Sequence, residues 1–335
     1  MIKKLFSFAC CFAPLGAMAA VEPLPVTGNV VDVSYSTLDF VTNSYEIADA
    51  NALNGMIVRD GGITMPGDLR VWQTTGAPES GTLNIMAGTG SATGDFTLRL
   101  GGDLVARDLI VGTNGGRGFS IAAQENSATP INLTFNDVNN SGRLNLGILD
   151  EAGQTSVNNV TLANVTNNAG ASFSILAGGA VSMVNLTSLG NGVIDISAAG
   201  NFNADKISAA AGDTVKIAAD FLKTTDSVEN NGGTMELTSR GPGGIDVGGD
   251  LINAGQMTIN AGDRPVIISG DAQNSSESGS LTINAGNLSI NGPAAFVNKG
   301  SLTLNIDGGT TTFANGVDIR GMGADRTLTI QTGQL

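Results

Sequence analysis

Asparagine returns every seven residues in the stretch 281–305, LTINAGNLSINGPAAFVNKGSLTLN, at Asn284, Asn291, Asn298 and Asn305. Each follows a branched apolar residue (Ile283, Ile290, Val297, Leu304), and two positions before those sit Leu281, Leu288, Ala295 and Leu302. A coiled-coil heptad is excluded, because Gly286, Gly292, Pro293 and Gly300 interrupt the stretch and flanking charged positions are missing. An apolar–polar–apolar triplet ending in Asn or Gly reads instead as a short strand and a corner. The two apolar residues of each triplet are expected to point inward. Asn or Gly is expected to turn the corner, since both tolerate left-handed backbone, and stacked asparagines can hydrogen-bond in ladders.

The same triplet recurs along most of the chain. It starts at Phe96, Phe119, Leu144, Phe173, Ile194, Val215, Met235, Met257, Leu281, Leu302 and Leu328, at intervals of 20 to 29 residues. Three seven-residue sides make one turn of that length. If successive turns stack with parallel strands ~4.8 Å apart, the result is an all-β, right-handed parallel β-helix, a solenoid of about 11–12 coils with three faces per coil. Such a rod is on the order of 50–60 Å long. With 47 glycines in 335 residues, helical repeats are disfavoured, and 41% hydrophobic residues in regular alternation argue for a packed core over disorder. A β-sandwich is the structural rival, and it predicts no register between turns.

The chain divides into three expected segments. Residues 1–19 have two lysines, an apolar run and Ala17-Met18-Ala19, the pattern of a cleaved secretory signal peptide. Both cysteines, Cys10 and Cys11, lie within it, so the mature chain is expected to carry neither disulfide nor thiol chemistry. Residues 20–66, with both tyrosines, are expected to form an N-terminal cap over the open end of the solenoid, and 67–335 the β-helix. Losing Lys3 and Lys4 with the leader moves the net charge from −14 to −16, which disfavours nucleic acid and anionic membranes as partners.

The phrases GGDLINAGQMTINAG (248–262), LTINAGNLSING (281–292) and AGGAVSMVNLTSLGNG (177–192) resemble repeats of filamentous haemagglutinin-type adhesins and autotransporter passenger domains. The resemblance covers roughly residues 67–335. It implies a surface-exposed or secreted Gram-negative β-helix used for adhesion and virulence or as a rigid stalk, exported through an outer-membrane transporter. Neither the Asn-Pro-rich motifs of a two-partner secretion domain nor a translocator barrel is found here.

Catalytic chemistry finds little footing. No histidine is present, which removes histidine-based triads and imidazole metal sites. Polysaccharide-cleaving β-helices rely on acids in a groove walled by long loops. The acidic pairs Asp226 with Glu229 and Asp150 with Glu151 are read as solvated loop residues. Residues 243–246 (GGID) and 248–250 (GGD) hold the ingredients of a calcium nonapeptide but never repeat it, so they read as corner glycines. Gly112–Gly118 lacks the helix of a phosphate loop and reads as a corner. Residues 24–28 (LPVTG) match a sortase pentapeptide in the wrong place, and the sequons at Asn132 and Asn185 follow from Asn/Thr-rich strand ends.

The expectation is therefore a secreted or cell-surface rod without enzymatic activity, catalytic residues, metal or cofactor. It would act as an adhesin or structural element, binding glycan, host protein or itself through polar ladders on its long faces. A filament or surface-layer subunit and a polysaccharide lyase or hydrolase are the alternatives.

Overall fold

The computed structural model describes residues 21–73, 81–88, 94–125, 129–149, 153–318 and 327–332. They form a parallel β-solenoid of about 12 turns. Helical backbone among them is confined to the single 3-10 turns Tyr35–Thr37 and Ala50–Ala52.

Thirteen stacked segments make the first face. It begins with strands Val30–Ser34, Gly55–Arg59, Phe96–Leu100 and Gly118–Ala123, and it ends with Ser280–Ala285, Ser301–Ile306 and Leu328–Thr332. All eleven triplet starts found in the sequence occupy one position here. Phe96 pairs with Phe119, Phe119 with Leu144, and so on to Leu302 with Leu328. Period-2 alternation then puts Leu98, Ile121, Leu146, Ile175 and their successors as far as Leu304 beside them in the interior, while Leu328 and Ile330 on the last rung are exposed. Each fully buried Leu, Ile or Phe in these columns stabilises by about 1.5–3 kcal/mol, and the columns merge into one core from Leu24 to Ile306. The second face carries Leu133, Val160, Val181, Phe202 and Leu222 inward, and the third Val138, Val165, Leu186, Ile207 and Val228.

On the third face the phase differs from the expectation. In Phe296–Asn298 it is Phe296 and Asn298 that are buried, while Ala295 and Val297 face outward. The interval from Leu288 to Phe296 is one residue longer than that from Leu281 to Leu288, and a one-residue shift in a strand reverses every side chain. Asparagine likewise is not the usual corner residue. Among described non-glycine residues only Asp60, Trp72 and Asn191 have positive φ. Asn284 and Asn305 lie inside strands, facing out, and Asn298 lies in the core.

The buried asparagines end the third-face strands, at Asn140, Asn167, Asn230, Asn253, Asn274 and Asn298, all wholly inaccessible. An interior amide is tolerated only when fully bonded, since each unsatisfied group costs about 1–3 kcal/mol. Here four amide nitrogens donate to the asparagine of the next coil, Asn140 to Asn167 at 2.8 Å, Asn230 to Asn253 and Asn253 to Asn274 at 2.9 Å, Asn274 to Asn298 at 2.7 Å, while Asn167 and Asn298 donate to the carbonyls of Ala171 (3.0 Å) and Gly300 (2.9 Å). The Asn253 nitrogen also lies 3.0 Å from the Gly255 carbonyl and 2.9 Å from that of Ser280, while its oxygen accepts the Gly255 N–H. The ladder thus clamps the corner that leads back to the first face. A side chain at Gly255 would collide with the Gly233 carbonyl one coil below, so only glycine fits.

Two coils interrupt the ladder, placing Ser188 and Ala209 where asparagine would stand. The Ser188 hydroxyl is buried with no partner. The corner is held instead by buried Asp213, whose carboxylate accepts the N–H groups of Gly190 (3.1 Å), Gly192 (2.8 Å) and Ala210 (2.7 Å). Gly190, at φ 115°, adopts a backbone that a side chain would resist.

The described part of the expected cap, 21–66, contributes rungs to the first face and also an antiparallel hairpin, Val26–Thr27 on Val30–Val31, which takes in Val26, Thr27 and Gly28 of the LPVTG stretch. Around it the third face stacks out of sequence order: Val21–Pro23, Ser44–Ile47, Leu83–Ile85, Leu69–Val71, then Leu104–Val111. Arg117 ties this end down. Its guanidinium donates to the carbonyls of Ala50 (2.7 Å), Gly94 (2.8 Å) and Leu53, and lies 5.4 Å from the Trp72 ring centre. Burial pulls its pKa below the usual arginine value, and the charge of Asp95 opposes that shift.

The ladder sets two expectations. Asn253→Ala strands Asn230 and Asn274 in the core and should cost at least about 3 kcal/mol in chemical denaturation, whereas outward-facing Asn203→Ala should stay within about 0.5 kcal/mol. Ser188→Ala removes an unpaired buried hydroxyl and should leave stability unchanged or raise it by up to about 1 kcal/mol.

Candidate ligand-binding face

Parallel stacking in register turns each strand position into a column, so the outward positions of the first face form stripes along the axis. The middle stripe runs Thr97, Ser120, Asn145, Ser174, Asp195, Lys216, Glu236, Thr258, Thr282, Thr303, Thr329. Its three parts behave differently. In the first, side chains satisfy one another: Asn145 donates to the Ser120 hydroxyl at 3.1 Å, and Ser174 donates to the Asn145 oxygen at 2.7 Å. In the second, Asp195, Lys216 and Glu236 alternate in sign, which avoids like charges on neighbouring rungs.

In the third part, the hydroxyls of Thr258, Thr282, Thr303 and Thr329 have no hydrogen-bond partner among the described residues. Two uncharged stripes flank them. On one side stand Gln256, Ser280 and Ser301. On the other stand Asn260, Asn284, Asn305 and Gln331, of which Asn305 donates to the Asn284 oxygen at 2.7 Å. The Asn stripe borders a shallow groove of about 460 Å³ at the turn toward the second face, lined by Gly262, Asp263, Asn284, Asn305, Asp307 and Gln331. Asp263 is paired with Arg264, and Asp307 is exposed. The result is a flat, uncharged, hydrogen-bonding surface four rungs long, edged by two carboxylates.

A second hollow, about 350 Å³, lies at the corner between third and first faces, against Gly212, Thr214, Gly233, Gly255, Gln256 and Ser278. Its floor is the glycine corner clamped by the asparagine ladder and Asp213, so its polar groups are largely spent on the fold.

The acidic pairs from the sequence do not converge. Glu229 accepts from Lys206 at 2.6 Å and from the Ser227 hydroxyl at 3.0 Å, and Asp226 sits at the adjacent corner. Asp150 and Glu151 lie outside the described residues. Residues 243–246 fall within the strand Thr234–Val247 and 248–250 at the next corner. Among the described residues, no three Asp or Glu side chains gather closely enough to hold a metal ion. Gly112–Gly118 is a corner, with Gly115 and Gly116 at positive φ and Arg117 turned to the N-terminal segment. The sequon asparagines are engaged, Asn132 with Asp103 and Asn185 with Asn164 at 2.8 Å. Near the N-terminal end, Arg59 donates to Asp32 at 2.7 and 2.6 Å and holds that carboxyl below its usual pKa. The pairing therefore contributes above the carboxylate range and is lost as pH falls through the lowered value.

Sequence reasoning anticipated lateral polar ladders but named no residue in them. The signal was present as T-I-N, T-I-N, T-L-N and T-I-Q at 258–260, 282–284, 303–305 and 329–331. It was masked because the asparagines were read as corners.

No family model, curated protein or solved structure matches this chain.

Because one hydroxyl stripe is internally bonded and the other free, truncations should separate them. Ser174→Ala should cost about 0.5–1.5 kcal/mol in thermal or urea unfolding, and Thr282→Val close to nothing.

Proposed function

We propose that this chain is a rod displayed or secreted outside a Gram-negative cell, which binds its ligand without turning it over. The four-rung array of unpaired threonine hydroxyls and neighbouring amides carries this reading. Elsewhere several polar runs satisfy one another, as in Asp137, Asn164, Asn185, with Lys206 on the next rung paired to Glu229, while shorter open hydroxyl runs stand at Thr134, Thr161, Ser182 and at Thr166, Thr187, Ser208. Hydrogen-bonding groups left open on one rigid face, at the spacing of the rungs, suit repeated shallow contacts whose strength accumulates along the axis. The signal-like residues 1–19 support export, and an outer-membrane transporter is the partner that the resemblance to secreted adhesins suggests.

Acids scattered over separate strands, such as Glu229 paired with Lys206 and Asp246 with Lys223, favour binding over hydrolysis or elimination, both of which need facing groups across a cleft. The purified chain should bind bacterial or host surfaces, or extracted polysaccharides, in a sedimentation assay, and release no reducing ends or unsaturated uronates from them. Turnover on any acidic polysaccharide would overturn the reading in favour of a lyase or hydrolase. Fibres growing with concentration in light scattering, without surface binding, would replace it with a filament subunit.

A further inference from the structure

The uncharged face narrows the ligand. We infer that the T-x-N array binds a linear, uncharged, β-linked polysaccharide lying along the solenoid axis with about one sugar over each rung. This rests on the reading of the rod as a binding protein and adds the ligand class and its orientation.

Three observations converge. The first is charge. The protein carries a net charge of −14, yet the rungs at 256–260, 280–284, 301–305 and 329–331 present no ionised side chain on this face. Of the carboxylates that border it, Asp263 is paired with Arg264, and exposed Asp307 would repel an acidic chain and accept hydrogen bonds from sugar hydroxyls. The second is valence. Threonine hydroxyls and Asn/Gln amides each offer donors and acceptors, as sugar hydroxyls do, and here only the Asn305–Asn284 bond takes up part of them. The third is spacing. Rungs repeat at ~4.8 Å, close to the length of one sugar in an extended β-linked chain, and the Thr and Asn stripes stand ~7 Å apart, comparable to a pyranose with its equatorial hydroxyls.

An extended β-linked glycan therefore meets equivalent groups on every rung, whereas a coiled α-linked chain drifts out of step after one or two. No aromatic side chain stands in these stripes to stack on a sugar. Binding is thus weak per sugar, and it grows with length until the array is filled. That length dependence is the signature of the arrangement.

The test uses the full chain and isothermal titration or NMR with cello-, xylo- and manno-oligosaccharides of increasing length. Oligogalacturonate and an α-linked maltodextrin series serve as comparisons. Affinity for at least one neutral β-linked series should rise with length and level off at about four to five sugars. The double variant Thr282→Val/Thr303→Val keeps shape and strand preference and should weaken that binding about tenfold or more. Thr282→Glu should weaken it comparably, because the longer side chain stands up from the flat stripe and blocks close approach. Thr134→Val/Thr161→Val, on the second face, should leave it unchanged, and circular dichroism should show all variants folded.

Absence of length-dependent binding to every neutral β-linked series would overturn the inference, as would equal or tighter binding of oligogalacturonate or wild-type affinity in both first-face variants. If the rod still sedimented with cell surfaces in those cases, the ligand assignment alone would fall. If it bound neither, the binding-protein reading would fall with it.

Discussion

In this molecule the backbone of each turn hydrogen-bonds to the turn before it, with parallel strands in register, and that fixes where side chains can go. A residue's neighbours are set less by the chain on either side than by the equivalent residues one turn above and below. The interior becomes a set of columns, so an aliphatic residue finds aliphatic contacts wherever its column is aliphatic. The same rule is severe for polar groups. An asparagine in the core is stable only if the adjacent turns supply its partners, and the series from Asn230 to Asn298 does so coil after coil.

Column logic explains which parts of the architecture were legible beforehand. The first face was readable from local pattern because its apolar residues alternate cleanly, and each triplet start from Phe96 to Leu328 fell into register. The third face was not. Its inward residues are an apolar one followed by an asparagine, and a polar residue at an interior position looks like a corner until the partner one turn away is known. For that reason the local pattern puts Ala295 and Val297 inward and Asn298 at a corner, whereas Phe296 and Asn298 are the buried pair. The stacking of Leu83–Ile85 between Ser44–Ile47 and Leu69–Val71 was also invisible, since it is a tertiary placement against sequence order and no spacing encodes it.

The candidate site follows from the same geometry. A charge placed on an outward stripe meets the residues of the adjoining turns at the rung spacing, so alternation, as at Asp195, Lys216 and Glu236, or avoidance of charge spares the repulsion that stacked acids such as Asp108 and Asp137 bear. The Thr and Asn stripes take the second course over four turns. In the sequence those residues are scattered 20-odd positions apart among similar polar residues. Only the assembled column shows that one part of the stripe is bonded within itself and that its four threonines are open.

The break in the asparagine ladder bears on how such a chain can change length. Duplicating a turn between Asn230 and Asn298 inserts a copy whose amide meets a matching amide on either side, so growth or shrinkage there is nearly silent. The turns carrying Ser188 and Ala209 lack that interchangeability, because Asp213 serves amides from its own corner and the one before it. Copying either turn alone separates the carboxylate from part of what it holds. Gene-level expansion of the rod is thus expected to spare this junction and to accumulate on the side that carries the open threonine stripe, lengthening the binding surface together with the scaffold.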